Sequence, residues 1–421
     1  MDKMMERVAK DGILSPRKLL WALLLLLAFC EFYQFSYFVS TLITLVLIPV
    51  SMAWLGFFPH TPLVLKREYE PVLFLLFWFA YSLFSYVWAV DRTLALEYCL
   101  LVFRYLALFM IFSAAFRDRR LLKRFHLFLT GIFCLYIITA IIEVLTLKHL
   151  PSSRMYGRNY FIPTGPFYGE NILAAFMMLL FPFILFLSKL YERRLVKVFS
   201  SLFVLLFLVV ITLQGARIGM LAIGAVLLWY FAFHSRAKTI ILILLAVILF
   251  SYAVHLYFPS ATAFVWKIFK REVLSFGSER ETATMSSIKI RKQLFVETWD
   301  MASNSGLMGV GGGNFEHYMD TDRQYRTASI LNAHNWWLEL LGNFGILILA
   351  GFAYIYLKWL YLLYLRFQRS EGRERYLALM YLISLVLFVA SSALPSSIRW
   401  IHLIWIYFAA VNSFCYTDKL L

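Results

Sequence analysis

Two arginines and one histidine have the side-chain chemistry needed to bind a diphosphate and to move a proton. Arg217 stands between two apolar segments with almost no loop around it, and Arg291 lies in a polar segment beside Lys292. A guanidinium group binds phosphate oxygens through paired hydrogen bonds and keeps its charge. His334 is suited to accept or steer a proton near neutral pH. We therefore predict that these three residues form a phosphate-binding catalytic site, and all three are our catalytic candidates.

Each of the three also has an ordinary explanation. Arg217 could be an anchor at the lipid headgroups, Arg291 a solvated charge, and His334 a structural hydrogen-bonding residue. A second group of polar and aromatic residues could contact phosphate or sugar, or orient the imidazole of His334. These substrate-binding candidates are Arg154, Tyr156, Arg158, Asn335, Trp336, Glu339 and Arg399.

Two motifs resemble a nucleotide-binding loop and a metal site, but both depart from what such sites require. The Gly309–Gly313 run lacks the third glycine of a dinucleotide loop and the Lys-Ser/Thr of a P-loop, so a tight turn is the better interpretation. Asp320 and Asp322 have the spacing of a metal site, but Arg323 follows at once. We predict neither a metal nor a cofactor.

Composition restricts the class of protein. Of 421 residues, 62% are hydrophobic and 15% are charged, and the mean hydropathy is +0.74. A soluble domain is about 45–50% apolar and about 25% charged, so the chain is predicted to be an all-α polytopic membrane protein. The net charge of +16 comes largely from short loops between apolar segments, which argues against a nucleic-acid partner. The four cysteines fall in or beside apolar segments and indicate no disulfide framework.

Hydropathy predicts about twelve transmembrane helices in one membrane domain covering residues 1–421. A long extracytoplasmic helical loop, 259–336, separates the ninth helix from the tenth, and a smaller loop occupies 146–170. The predicted spans are 19–34, 37–57, 72–89, 94–114, 126–145, 171–188, 198–215, 218–233, 239–258, 342–363, 376–392 and 400–416.

Basic residues set the expected orientation. Runs such as 117–124, 192–197 and 366–375 fall on the side of the N-terminus, and cytoplasmic short loops are enriched in Lys and Arg. Both termini are therefore expected in the cytoplasm, and the long loop outside. Within that loop, 287–301 has helical periodicity, and 333–341 is expected to begin a helix that continues into the tenth span.

Charged residues inside the spans are few. Glu97 and Arg104 lie two turns apart on one helical face, and Glu143 lies elsewhere. We expect Glu97 and Arg104 to pair with one another or with the backbone, although a role in transport stays open.

Taken together, these features resemble the O-antigen ligase and polymerase superfamily of bacterial membrane glycosyltransferases. The resemblance consists of the twelve spans, the outward loop, and an arginine just after the seventh span. In the loop, Arg291 precedes the Gly-rich turn ending at Asn314-Phe315, and His334-Asn-x-x-x-Glu339 follows. The loop match covers about 60 residues, and the topological match nearly the whole chain.

The resemblance implies a C-type membrane glycosyltransferase architecture in the bacterial cytoplasmic (inner) membrane. Such an enzyme takes a glycan from undecaprenyl diphosphate on the extracytoplasmic face and passes it to an acceptor hydroxyl, with inversion and without a metal. Arg217 and Arg291 would hold the diphosphate, and His334 would act on the acceptor or orient the substrates. The partners would be the lipid-linked donor, the bilayer, and a glycan, lipid or protein acceptor.

The acceptor stays open at this point. A repeat-unit polymerase of a surface polysaccharide is the first hypothesis, and an O-antigen ligase or a protein O-oligosaccharyltransferase is the alternative. A flippase for lipid-linked glycans is the alternative of another class. Transporters place charges near the membrane midplane of repeated halves, whereas here polar residues concentrate on one face and no repeat is visible.

Overall fold

The computed structural model describes residues 16–33, 46, 48–50, 69–234, 287–322, 330–395 and 397–417, and these form helices and connecting turns. A short 3-10 helix, Ile398–Ile401, precedes the last α-helix. The α-helices are α1 Pro16–Phe32, α2 Tyr69–Ser85, α3 Arg92–Ala115, α4 Arg119–Thr146, α5 Glu170–Leu185, α6 Leu187–Leu190, α7 Arg194–Gln214, α8 Arg217–His234, α9 Ser287–Asn304, α10 Phe315–Thr321, α11 Trp336–Arg369, α12 Gly372–Ser391 and α13 Ile404–Tyr416.

Among the described residues, six helical segments are long and apolar enough to cross a membrane, and four shorter apolar helices accompany them. The chain is thus a polytopic helical membrane protein. Ten of the twelve predicted spans coincide with observed helices. Most of the predicted span 37–57, the whole of 239–258, and the first part of the long loop up to 286 lie outside the described residues.

The core of the bundle is aromatic. Trp78 of α2, Trp405 of α13 and Phe352 of α11 are wholly or almost wholly buried and pack ring against ring. Tilted and edge-to-face ring pairs of this kind add to the packing energy of the buried area. This core fixes α2, α3, α11 and α13 relative to one another, and the loops at one end of the bundle are built on it.

Charged residues within the bundle pair differently from the sequence prediction. Arg104 binds Glu31 of α1 at 2.7 Å, and Glu97 lies 3.2 Å from Arg399. The expected Glu97–Arg104 pair is therefore wrong, because tertiary neighbours offer each of them a closer partner. Glu31 is wholly buried and also lies 3.0 Å from the ring of His402. A buried carboxylate needs such partners, because an unpaired charge in a low-dielectric interior is costly.

The long polar segment contains the expected helix. Helix α9 covers Ser287–Asn304, which confirms the prediction for 287–301. Its buried residues Leu294 and Met301 pack with Phe315 of α10 in a small second core. Helix α9 lies against α11, so the polar segment is attached to the bundle rather than separate from it.

Helix α11 reverses direction at Gly345, where the backbone has φ 75° and ψ −171°. The rings of Trp337 and Tyr356 lie 5.3 Å apart, although nineteen residues of straight helix would separate them by about 28 Å. The first segment, 336–344, therefore folds back along the second, 346–369. The predicted helix over 333–341 exists from Trp336 onward, but its straight continuation into the tenth span is wrong.

The glycine-rich turn supplies the hydrogen bonds that this reversal interrupts. The N–H groups of Val310 and Gly311 donate to the carbonyls of Gly342 and Asn343, at 2.9 and 3.0 Å. The N–H of Ile346 donates to the carbonyl of Leu307, just before the turn, at 2.9 Å. A helix broken inside a membrane protein is tolerated where other backbone groups satisfy the freed polar atoms. The turn therefore has a structural role. This agrees with its interpretation from sequence as a tight turn and not a nucleotide-binding loop.

Candidate catalytic site

His334 occupies the chain just before α11, at one end of the bundle. Its backbone has φ 46°, in the left-handed region that few residues other than glycine adopt. The next residue, Asn335, is the N-cap of α11, and its side chain accepts hydrogen bonds from the N–H groups of Trp337 and Leu338. The imidazole hydrogen bonds to the backbone of Leu394, in the turn after α12. The histidine is therefore held by the helix start and by a neighbouring turn.

Two arginines from separate parts of the chain act electrostatically on His334. Burial lowers the pKa of His334 below its usual 6.5, the positive charges of Arg291 and Arg154 lower it further, and the bond to Leu394 opposes them. Arg291 comes from α9, and Arg154 from the turn-rich segment between α4 and α5. The structure thus brings two of the predicted guanidinium groups within electrostatic range of the predicted histidine.

The segment that carries Arg154 is fixed by a buried carboxylate. Glu143, at the end of α4, accepts hydrogen bonds from the N–H groups of Thr164 and Gly165, both at 2.8 Å. Arg154 itself is exposed and binds both carboxylate oxygens of Glu170, at 2.7 and 2.8 Å. Both hydrogen bonds come from the same terminal nitrogen, Nη2, which ties that end of the guanidinium group to Glu170. Arg154 therefore has a defined position at the edge of the site.

The same segment lies beside the start of α8. Gln214, the last residue of α7, donates to the carbonyls of Pro163 and Glu170 at 3.3 and 3.2 Å. Gly215 follows in the left-handed conformation, and Arg217 is the first residue of α8. The backbone at Arg217 is thus three residues from a contact with Glu170, the partner of Arg154.

The remaining predicted residues next to His334 make structural contacts. Glu339 is buried and accepts from the Ser397 hydroxyl at 2.6 Å, the Ile398 N–H at 2.7 Å and the Tyr98 hydroxyl at 3.3 Å. Trp336 is buried among the core rings. These contacts fix the start of α11 against α3 and the 3-10 helix, so they position the backbone that carries His334.

Other predicted residues are exposed to solvent. Arg399 of the 3-10 helix is partly exposed and pairs with Glu97. Tyr156 and Arg158 are exposed in the segment between α4 and α5. Sequence analysis missed the positioning roles of Glu143, Gln214 and Ser397. For Glu143, the one sequence signal of such a role was a lone polar residue in or beside an apolar span. For Ser397, no sequence signal indicated a positioning role.

The position of Arg154 leads to a prediction about pH. With Arg154→Ala, the pKa of His334 should rise, because a positive charge disappears and Glu170 loses its partner. If neutral His334 is needed, the acid limb of kcat/KM should then move to higher pH. A pH–rate profile checks this. Lys148→Ala removes an exposed cation of the same segment and should leave the limb in place. An unchanged limb in Arg154→Ala would separate Arg154 from His334.

Comparison with known proteins shows similarity over part of the chain. Residues 202–353 match the O-antigen ligase family, and the matched region contains Arg217, Arg291, His334 and the reversal at Gly345. The chain is also 27% identical over 348 residues to the teichuronic acid biosynthesis protein TuaE of Bacillus subtilis (strain 168), an alignment that covers 81% of this chain and 70% of that protein. These similarities indicate that the chain, a multi-pass bacterial membrane protein, is a membrane glycosyltransferase of the polysaccharide polymerase or ligase type.

Proposed function

We propose that this protein transfers a glycan from undecaprenyl diphosphate to an acceptor hydroxyl on the outer face of the cytoplasmic membrane, with inversion and without a metal ion. The observation that carries the proposal is the grouping of Arg291 and Arg154 around His334. Two guanidinium groups near a neutral imidazole suit a reaction in which a diphosphate departs and a hydroxyl loses its proton.

Bond formation and bond cleavage in the transfer reaction require different contributions from the arginines and the histidine. The acceptor oxygen forms a bond to the anomeric carbon of the sugar, and the bond from that carbon to the diphosphate oxygen breaks. The electron pair leaves with the diphosphate, where guanidinium groups stabilise the new charge. Removing one such preorganised donor typically costs about 2.7–4 kcal/mol of barrier. Arg291, with Arg217 at the start of α8, is proposed to supply this stabilisation.

His334 is proposed to receive the proton of the acceptor hydroxyl. Its lowered pKa keeps the imidazole neutral at pH 7, and a neutral imidazole can accept a proton. A bound diphosphate would offset the field of the arginines with its own negative charge. The basicity of His334 would then rise when the donor is bound, so free enzyme and complex would differ in proton affinity.

Among the possible acceptors, we favour another lipid-linked repeat unit, which makes the protein a polysaccharide polymerase. Similarity to a protein of teichuronic acid biosynthesis supports the synthesis of a surface polymer. Transfer to lipid A-core, or to a protein hydroxyl, would use the same donor chemistry and is the alternative. The acceptor accordingly has to be decided by the products.

The decisive experiment uses purified protein in lipid nanodiscs with a synthetic undecaprenyl-diphosphate repeat unit and no other acceptor. We expect products that lengthen in steps of one repeat unit, resolved by mass spectrometry. Elongation that requires added lipid A-core or protein would indicate the ligase. Movement of the donor across liposomes without elongation would support a flippase and remove the transferase proposal.

A metal-chelation arm accompanies this assay. EDTA should leave the transfer rate unchanged, because the proposed stabilisation of the leaving group comes from guanidinium groups. The measurement is the initial rate with EDTA and then with added Mg²⁺. Loss of transfer with EDTA and its recovery with Mg²⁺ would contradict the proposal and return attention to Asp320 and Asp322.

A further inference from the structure

A cleft of about 730 Å³ opens between the turn that joins α2 to α3 and the C-terminal end of α9. Volumes of about 300–1,000 Å³ are typical of small-molecule sites. The proposed reaction does not use this cleft. The lining residues on which the argument depends are Trp88, Asn304, Asn314, His317, Tyr318 and Asp322.

The lining combines aromatic and polar side chains with apolar ones, and among the described residues that form it none is Lys or Arg. Without a cation it is poorly suited to a diphosphate, and its polar groups make it a poor site for a lipid chain. The indole N–H of Trp88 donates to the carbonyl of Gly309 at 3.0 Å, which fixes the orientation of the ring. Amide, imidazole, phenol and carboxylate groups together provide both donors and acceptors. A ligand rich in hydroxyl groups that also has apolar ring faces matches this lining.

The walls of the cleft are preformed. The side chain of Asn314 accepts from the N–H of Asp91 at 2.6 Å and donates to its carbonyl at 3.1 Å, so it joins the glycine-rich turn to the start of α3. Gly311 packs so closely on Ala89 that an added Cβ would lie 2.8 Å from the Ala89 Cβ. Preformed walls reduce the entropy lost when a ligand binds.

The cleft and the candidate catalytic site share one helix. Met301, which lines the cleft, lies ten residues after Arg291 on α9, and ten helical residues span about 15 Å. A single sugar in the cleft would therefore not reach the backbone at Arg291. An extended glycan could occupy both places at once.

We infer that this cleft is a glycan subsite, which holds sugar residues remote from the bond being transferred. The inference rests on the proposed function for the identity of the glycan. The bound sugars belong either to the donor or to the acceptor, and both have the same chemistry.

The first test measures binding without turnover. The probe is a lipid-free oligosaccharide, released by mild acid from the lipid-linked glycans of the source bacterium and added to the protein in nanodiscs. Saturation-transfer NMR should detect its binding. Tyr318→Ala and Asp322→Asn should each weaken the affinity about tenfold or more. The matched control, Tyr361→Ala, removes an exposed tyrosine of α11 and should change the affinity by less than about twofold.

The second test separates the two sources by kinetics. It compares undecaprenyl diphosphate carrying one sugar with the same lipid carrying a full repeat unit, each with the lipid-free oligosaccharide as acceptor. A KM increase in Tyr318→Ala for the acceptor alone would place acceptor sugars in the cleft. A KM increase for the full-length donor, but not for the single-sugar donor, would place donor sugars there.

Failure of the subsite is distinguishable from failure of the proposed function. If both variants bind the oligosaccharide as the wild type does, the subsite is wrong. The same holds if wild-type protein transfers glycan normally but does not bind the oligosaccharide. A third outcome is that the wild type binds the oligosaccharide, that Tyr318→Ala abolishes this binding, and that the wild type transfers no glycan from any lipid-linked donor. That outcome would support the subsite and contradict the proposed function.

Discussion

Arg291→Lys is expected to lower kcat/KM for glycan transfer by about a hundredfold or more. Lysine retains the charge but not the planar pair of N–H donors that fits two phosphate oxygens. Arg291→Ala should lose at least as much. The measurement is the initial rate with the synthetic lipid-linked donor, together with thermal unfolding to show that each variant is folded.

The adjacent residue provides the control. Lys292 is exposed on the same helix, and Lys292→Ala should alter the rate by less than about twofold. A pH profile then separates two effects of Arg291. With lysine, the positive charge still lowers the pKa of His334, whereas with alanine that pKa should rise and the acid limb should move to higher pH. Wild-type activity in Arg291→Lys would contradict a two-oxygen contact with the diphosphate.

Gly345→Ala is expected to prevent normal folding of the helical hairpin in α11. A Cβ at this position would lie 2.1 Å from the carbonyl oxygen of Leu307, and φ of 75° is itself strained for alanine. The neighbour is backbone just before the glycine-rich turn, which cannot move without losing its own hydrogen bonds. We expect a loss of roughly 3 kcal/mol or more, read as a large fall in the midpoint of thermal unfolding in detergent.

Gly131→Ala is the matched substitution. Gly131 is a helical residue of α4, and a Cβ there would meet nothing within 4 Å. Alanine favours a helix by up to about 1 kcal/mol over glycine, so the midpoint should stay the same or rise. If Gly345→Ala and Gly131→Ala had equal unfolding midpoints, the close backbone approach at Gly345 would not be needed for the fold.

Sequence analysis predicted those elements that depend on local periodicity. Helix α9 was recognisable because Leu294 and Met301 recur on one helical face, and the turn after it because Gly306 and its neighbours interrupt that face. The proximity of Arg291 to His334 followed from the resemblance to a family, since no local pattern joins residues so far apart in sequence.

The hairpin at Gly345 could not be predicted from its own residues. The stretch Gly342-Asn-Phe-Gly345 resembles an apolar helix with two tolerated glycines, and the hydrogen bonds that permit the reversal come from residues more than thirty positions earlier. The partners of Arg104 and Glu97 were missed for a similar reason. Both lie on one face of α3, but α1 and the 3-10 helix bring Glu31 and Arg399 closer.

The contacts of Glu31 also impose an order on biosynthesis. The ribosome delivers α1 before Arg104 exists and long before His402 is made, yet in the finished protein Glu31 is wholly buried between them. An isolated carboxylate in the hydrocarbon region is costly, so α1 cannot settle at its final depth when it first leaves the translocon. Arrival of α3 supplies the first counter-ion, and His402, directly after the 3-10 helix, completes the arrangement. Nascent chains that stop before Arg104 should therefore retain an α1 that remains accessible to water.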